Sequence, residues 1–305
     1  MALVQCRMKS GALGGMLMVL LAAMLWGTTG TAQALSPAGL PAHWVGALRL
    51  VFSSLFFAAY LGVTSRASIR VAQLPWRWLL LGGFSMAAYN LTFFAGIKAS
   101  SVAVGTAIAL GSGPIWAGFL QLTVLRRSPP AAWWFGTLLA IAGGCLMVLG
   151  SAQALPASAW GVGLCLAAGL SYAVYAMVSK RVVVDVPAPV VTLCVFSSAA
   201  ALALPVAWFL SGPPATSVGG WLVVAYLGVV ATGVAYLLFT FALSRVSGST
   251  AVSMCLMEPL TAFCLAVLVL GEQPPPAAYA GLALVMLGLA LVVRAELRSG
   301  GSRAA

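Results

Sequence analysis

Two stretches of the chain, YNLTFFAGIK (residues 89–98) and YLLFTFALSR (residues 236–245), read as one segment written twice. Tyr89, Phe94, Ala95 and Lys98 pair with Tyr236, Phe241, Ala242 and Arg245 at a single constant offset. A two-residue gap then carries the match onward, pairing Pro114, Pro129, Trp134, Gly136 and Gly143 with Pro259, Pro274, Tyr279, Gly281 and Gly288. Weaker pairs, Ala22-Ala23 with Ala167-Ala168 and Phe52-Ser53-Ser54 with Phe196-Ser197-Ser198, extend it toward the start of each half. Self-similarity with a period near half the chain marks a duplicated structural unit.

Composition says what is duplicated. The 305 residues are 62% hydrophobic and 6% charged, with a mean hydropathy of +1.08, where soluble domains carry about 25% charged residues. This is an integral membrane protein. A spanning helix needs roughly 17 to 25 mostly apolar residues. Apolar blocks between charges and Pro/Gly/Ser clusters predict ten of them: 14–34, 44–62, 78–96, 102–125, 132–150, 160–178, 190–210, 221–243, 250–270 and 277–293. The expected fold is all-α, with ten transmembrane helices in two five-helix repeats, residues 1–150 and 151–298, and a short tail at 299–305. An odd number of spans per repeat makes the second half enter from the opposite side, an inverted repeat of the kind that supports alternating access.

The net charge of +11 comes from basic residues scattered singly or in pairs between apolar runs, which is not a nucleic-acid footprint. Arg7, Lys9, Arg66, Arg70, Arg77, Arg126, Arg127, Lys180, Arg181, Arg245, Arg294, Arg298 and Arg303 fall on one side of the predicted spans, and Lys98 falls on the other. By the positive-inside rule both termini are then cytoplasmic, in a multi-pass protein of the cell's inner or plasma membrane. Trp44, Trp78, Trp160 and Trp221 open predicted spans and suit an interfacial belt. A signal-like start ending at Ala32-Gln33-Ala34 is expected to be retained, because its removal would break the repeat. The six cysteines are dispersed, without C-x-x-C or metal-ligand spacing, and read as unpaired buried thiols.

The second span's single arginine in GALRL (46–50), the junction FFAGIKASSVAVGTAIALGSGP (93–114) and the run MEPLTAFCLAVLVLGE (257–272) resemble the EamA-like branch of the drug/metabolite transporter superfamily. The resemblance covers nearly the whole chain. It implies a ten-helix carrier with cytoplasmic termini, a central cavity between the halves, and small organic substrates such as amino acids, usually exported. The family pattern ends the fourth span in Gly-Glu and places Glu-Pro within it. This chain has Arg126-Arg127 and Gly113-Pro114 at those places, which speaks against a symmetric two-carboxylate mechanism.

Four acidic residues serve the whole chain, so one inside a span is informative. Glu258 lies well inside the ninth predicted span, where an acid costs on the order of 2.5 to 3.5 kcal/mol. It is either a carboxylate that titrates a proton or holds a substrate amine, or a packing group bonded to a neighbouring helix. Pro259 beside it loosens the local backbone hydrogen bonding. Glu272, at the far end of the same run, reads as a topology marker on the outer face. Arg49 is a candidate for substrate carboxylate recognition, for pairing with Glu258, or for snorkelling to the headgroups. Tyr89 and Asn90, with Tyr236 at matching depth, suit a midplane pocket, and Trp26, Trp116, Tyr172 and Tyr175 are candidate aromatic walls or helix packing. Ser112, in the Gly111-Ser112-Gly113 stripe before Pro114, marks close helix approach or a flexible segment at the cavity.

Catalysis is the weaker reading. His43, the only histidine, lies ahead of the second span and forms no serine-protease pattern with Ser112. No GxxxxGK[ST] phosphate loop occurs, so energy comes from an ion or substrate gradient, with the proton as a candidate coupling ion. The expectation is a secondary transporter that exports amino acids or related metabolites without cofactor or metal, its partners being a small-molecule substrate and the lipid bilayer. A non-transporting sensor or scaffold on a carrier fold is the competing class.

Overall fold

The structure, a computed structural model, describes residues 2–34, 40–64, 73–99, 102–150, 158–271 and 273–302. Arg66, Arg70, Glu272 and Arg303, and most of the predicted outer loops 35–43 and 151–159, lie outside the described residues, as do the side chains of Cys6, Arg7 and Lys9. Within them every regular element is helical and no strand occurs. In chain order these are α1 (Ala2–Ala34), α2 (Ala42–Thr64), α3 (Trp76–Ala99), α4 (Val102–Thr123), α5 (Ala131–Gly150), α6 (Ala159–Val182), α7 (Ala188–Ser211) and α8 (Val218–Gly228). A π-helical turn over Val229–Val234 leads into α9 (Ala235–Leu243), followed by α10 (Gly248–Met254), α11 (Met257–Leu268) and α12 (Pro276–Ser302). Eight stretches among the described residues are long and apolar enough to cross a membrane, with Ala131–Met147 a shorter apolar helix and α4 a 22-residue helix built around Pro114.

Local chemistry sets the ends. Ser158, Ser217 and Ser247 sit in extended backbone just before α6, α8 and α10, and each accepts a hydrogen bond from an amide in the first turn, which satisfies one orphan donor. Gly212 and Gly271, with φ of 64° and 70°, turn the chain just beyond α7 and α11, a conformation that excludes most side chains. Several helices outrun the predicted spans. Thus α6 continues through Lys180 and Arg181, and α12 continues past Arg294, because a charged residue at the headgroup level ends the apolar stretch without ending the helix.

Two predicted spans are not continuous α-helices. The stretch Val218–Leu243 carries the π turn, and Gly248–Leu268 breaks at Cys255–Leu256. Trp44 also departs from expectation. It is only 4% exposed and donates from Nε1 to the Gly212 carbonyl at 2.8 Å, so it ties α2 to the end of α7 instead of anchoring in headgroups. Trp160, at 73% exposure, does face outward.

Helix-end contacts fix the direction of travel. Lys180 at the end of α6 donates to the carbonyl of Leu243 at the end of α9, and Glu296 of α12 meets Ser247 at the start of α10. At the opposite end Ser158 donates to Ala99 at the end of α3. The described side chains of Arg77, Arg126, Arg127, Lys180, Arg181, Arg245, Arg294 and Arg298 gather at the first end, where α12 finishes, and Lys98 at the other.

Small residues let the helices approach. A methyl on Gly143 would lie 2.6 Å from the Gly281 carbonyl oxygen, and one on Gly136 would lie 2.8 Å from that of Gly288, so α5 and α12 touch backbone to backbone. Each of these glycines meets the sequence counterpart of the other. Contacts between elements show the same exchange: α6 packs on α3 and α4, and α1 packs on the α8–α9 and α10–α11 stretches. Large apolar residues such as Leu55, Phe84, Phe135 and Leu222 point away from the bundle, as a lipid-facing surface requires. Of the described cysteines, Cys165 and Cys255 are buried as expected, whereas Cys145, Cys194 and Cys264 are only half-buried.

Candidate functional site

The break between α10 and α11 follows from Pro259. A proline has no amide proton, and its ring crowds the carbonyl four residues back, that of Cys255. That oxygen accepts instead from the Glu258 amide at 2.9 Å, and Leu256 bonds back to Ser253 at 3.1 Å. The tightened turn restarts the helix at Met257, which puts Glu258 in the first turn of α11, where a carboxylate is favoured by the helix dipole.

Facing it is the π turn of the α8–α9 stretch. The Thr232 hydroxyl donates to the Leu227 carbonyl, five residues back, at 2.7 Å and accepts from Arg49 Nε at 3.1 Å. Arg49 is therefore held inward across the halves and does not snorkel to the headgroups. Between these groups lies a cavity of about 540 Å³ in the middle of the bundle, reaching toward the end opposite the termini. Arg49 and Glu258 both line it. Among the described residues nothing donates a hydrogen bond to the Glu258 carboxylate.

The walls are aromatic. Trp26 packs on Tyr236 with ring centroids 4.8 Å apart and meets Tyr172 edge-on at 6.4 Å, and Tyr89 lies 5.4 Å from Tyr172 and stacks on Phe93 at 5.7 Å. Tyr172 also contacts the Cys255 thiol at 3.5 Å. Asn90 gives its amide to the Met86 carbonyl at 2.9 Å, which leaves its oxygen as the free polar end.

Of the residues singled out in the sequence, Glu258, Arg49, Tyr89, Asn90, Tyr236, Trp26 and Tyr172 line this cavity. The structure places the others elsewhere. Tyr175, 1% exposed, forms a second layer against Tyr236 and Phe239 at 5.8 and 6.3 Å. Ser112 bonds back to the Ala109 carbonyl at 3.3 Å and is pressed on Gly169 where α4 meets α6. Trp116 packs at the edge of the core with a buried, unpartnered Nε1. Helix α4 runs unbroken through Pro114, in contrast to the break ahead of Pro259.

Thr232, Cys255, Phe93, Phe94 and Thr106 also line the cavity, although nothing in the sequence marks them as site residues beyond the place of Thr232 between the glycines Gly228 and Gly233 in an otherwise apolar span. Glu296 is likewise unmarked in the sequence. Near the first end of the bundle its carboxylate accepts from the Ser247 amide (3.0 Å), the Ser247 hydroxyl (3.1 Å) and the Thr250 hydroxyl (2.6 Å), completing from a separate helix the cap of α10.

A lipid-embedded helical bundle closed around a central chamber, with one cation, one anion and aromatic walls drawn from both halves of the chain, has the build of a membrane transporter. The chain belongs to the EamA-like transporter family, whose model matches residues 13–149 and again 159–294. It is 37% identical over 289 residues, 95% of this chain and 97% of the relative, to the uncharacterized transporter YwfM of Bacillus subtilis. It is 26% identical over 269 residues, 85% of this chain and 87% of the relative, to a probable terminal-alkyne amino-acid exporter of Streptantibioticus cattleyicolor. A solved crystal structure superposes with a TM-score of 0.80 at 21% identity, covering 93% of this chain and 98% of that one, a likeness of fold alone.

Proposed function

We propose that this transporter exports amino acids or closely related metabolites by alternating access between two inverted five-helix halves, residues 1–150 and 151–298. The observation that carries the reading is the cavity itself, where Arg49 and Glu258 offer opposite charges to one small molecule. A zwitterion satisfies both, and among the described residues neither is spent on a structural ion pair. The family match in two copies and the crosswise packing of α6 and α1 support the halves and their inversion. The relative named as an amino-acid exporter supports the substrate class and direction. Basic side chains at the first end support cytoplasmic termini in an inner or plasma membrane.

Glu258 exchanges a proton for the substrate amine in this scheme, which couples efflux to the proton gradient. The test is Glu258→Gln in proteoliposomes. Substrate flux should lose its response to an imposed pH gradient. Unchanged flux and unchanged pH response at equal reconstitution would remove the proton role, and no substrate-dependent flux in the unaltered protein would instead favour a scaffold or sensor.

A further inference from the structure

The π turn at Val229–Val234 is a defect in a membrane helix, and such defects concentrate at functional sites. What it does here can be read from one hydroxyl. Thr232 Oγ1 has a single proton, which goes to the Leu227 carbonyl at 2.7 Å, the five-residue spacing of a π ring. Its lone pairs are then what remains for Arg49 Nε, 3.1 Å away. A hydroxyl so committed can only accept, so the guanidinium plane is pinned by its inner nitrogen.

Two glycines bring the partner helix close enough. A methyl on Gly233 would lie 2.7 Å from Phe56 Cδ1, and one on Gly228 would collide with Phe52 and lie 3.4 Å from the Arg49 carbonyl. Helix α2 is thus seated on the π turn along Arg49, Phe52 and Phe56. The two terminal nitrogens of Arg49 find no partner among the described residues, and the side chain lines the cavity. With Nε occupied, the edge left is the outer pair of N–H groups, the fork that meets a carboxylate bidentately.

We infer that Thr232 is a positioning residue that aims Arg49, and that the π turn thereby builds a carboxylate subsite, separate from the amine end of the cavity at Glu258. This rests on the carrier reading above, and it divides recognition into two independently testable halves.

The experiment measures flux in proteoliposomes with a panel of L-amino acids and the matching decarboxylated amines as probes. Thr232→Val keeps the shape and removes the hydroxyl. It should raise KM for the amino acids about 10- to 100-fold, the scale of a lost charge-assisted hydrogen bond, with kcat and the amines little changed. Thr232→Ser should restore KM. Arg49→Lys keeps the charge without the fork, and it should show the same selective loss even where Thr232→Val folds poorly. Equal losses for acids and amines, or no rescue by serine, would make Thr232 merely structural and overturn the inference. Wild-type flux of amines but not amino acids would overturn the carboxylate subsite while leaving the carrier standing. No flux with either set would defeat both.

Discussion

Gly27 sits where α1 crosses the first turns of α11, directly behind the carboxylate-bearing turn. A methyl added there would lie 2.6 Å from Thr261 Cβ, 2.7 Å from the Glu258 carbonyl oxygen and 3.1 Å from the Ala262 amide. Two of these atoms are backbone, so no side-chain rotation relieves the clash. Helices α1 and α11 must part by at least about 0.3 to 0.4 Å to bring the contacts to the 3.0 Å that real Cβ atoms keep. Overpacking of this kind costs about 1 to 3 kcal/mol. At about 2 to 4 °C per kcal/mol for a chain of this order of size, Gly27→Ala should lower the unfolding midpoint by about 2 to 12 °C. Gly30, three residues along the same helix, has nothing within 4 Å of the added methyl. There the same substitution only gains helix propensity and should be neutral or raise the midpoint slightly. Both variants are measured side by side in detergent by thermal unfolding monitored through tryptophan fluorescence and circular dichroism. A Gly27→Ala midpoint at or above wild type, or an equal drop for Gly30→Ala, would refute the close approach of α1 to α11.

Two further outcomes are expected. Glu296→Ala removes the acceptor of three hydrogen bonds at the start of α10; it should cost about 1 to 3 kcal/mol and raise amide hydrogen exchange over Ser247–Thr250, with Glu296→Gln partly restoring protection. Trp116→Phe, outside the cavity, should leave substrate KM within about twofold, whereas Trp26→Leu, which strips a wall packed on Tyr236 and Tyr172, should raise it several-fold in the same flux assay.

The helical scaffold was legible because each segment's hydrophobicity is a property of its own residues. Long apolar runs in a charge-poor chain can satisfy their backbone in lipid only as helices, and the internal repeat has its counterpart in the two matches to the family model. Depth was legible as well, so Tyr89, Asn90 and Tyr236 were placed with Glu258. Facing was harder to see. Trp26 and Trp116, or Tyr172 and Tyr175, are equivalent by composition, and only the rotation of α1, α4 and α6 against their neighbours decides which ring reaches the cavity. Thr232 was hidden for another reason: it matters through a hydrogen bond five residues back and another to α2, neither of which leaves a periodic trace. Glu296 was hidden by lying just beyond the last apolar run, where an acid looks like ordinary solvated surface.

The two departures from α-helix geometry bear on how the halves have diverged. In the first half the counterparts α3 and α4 run unbroken, even through Pro114. In the second half the matching stretches carry the π turn and the Cys255–Leu256 break, and residues of both, Thr232, Cys255 and Leu256, line the cavity with Glu258. In hydrocarbon an interrupted helix is tolerated only where its freed backbone groups face protein or a water-filled space. Both interruptions meet that condition here, and each carries or holds one of the charged groups: Glu258 follows the break and Thr232 binds Arg49. The first half answers with aromatic surface, Trp26, Tyr89 and Phe93, on regular helices. Among the described residues the departures from α-helix geometry at the cavity thus fall in the second half, while the first half supplies Arg49, Asn90 and aromatic rings from continuous helices.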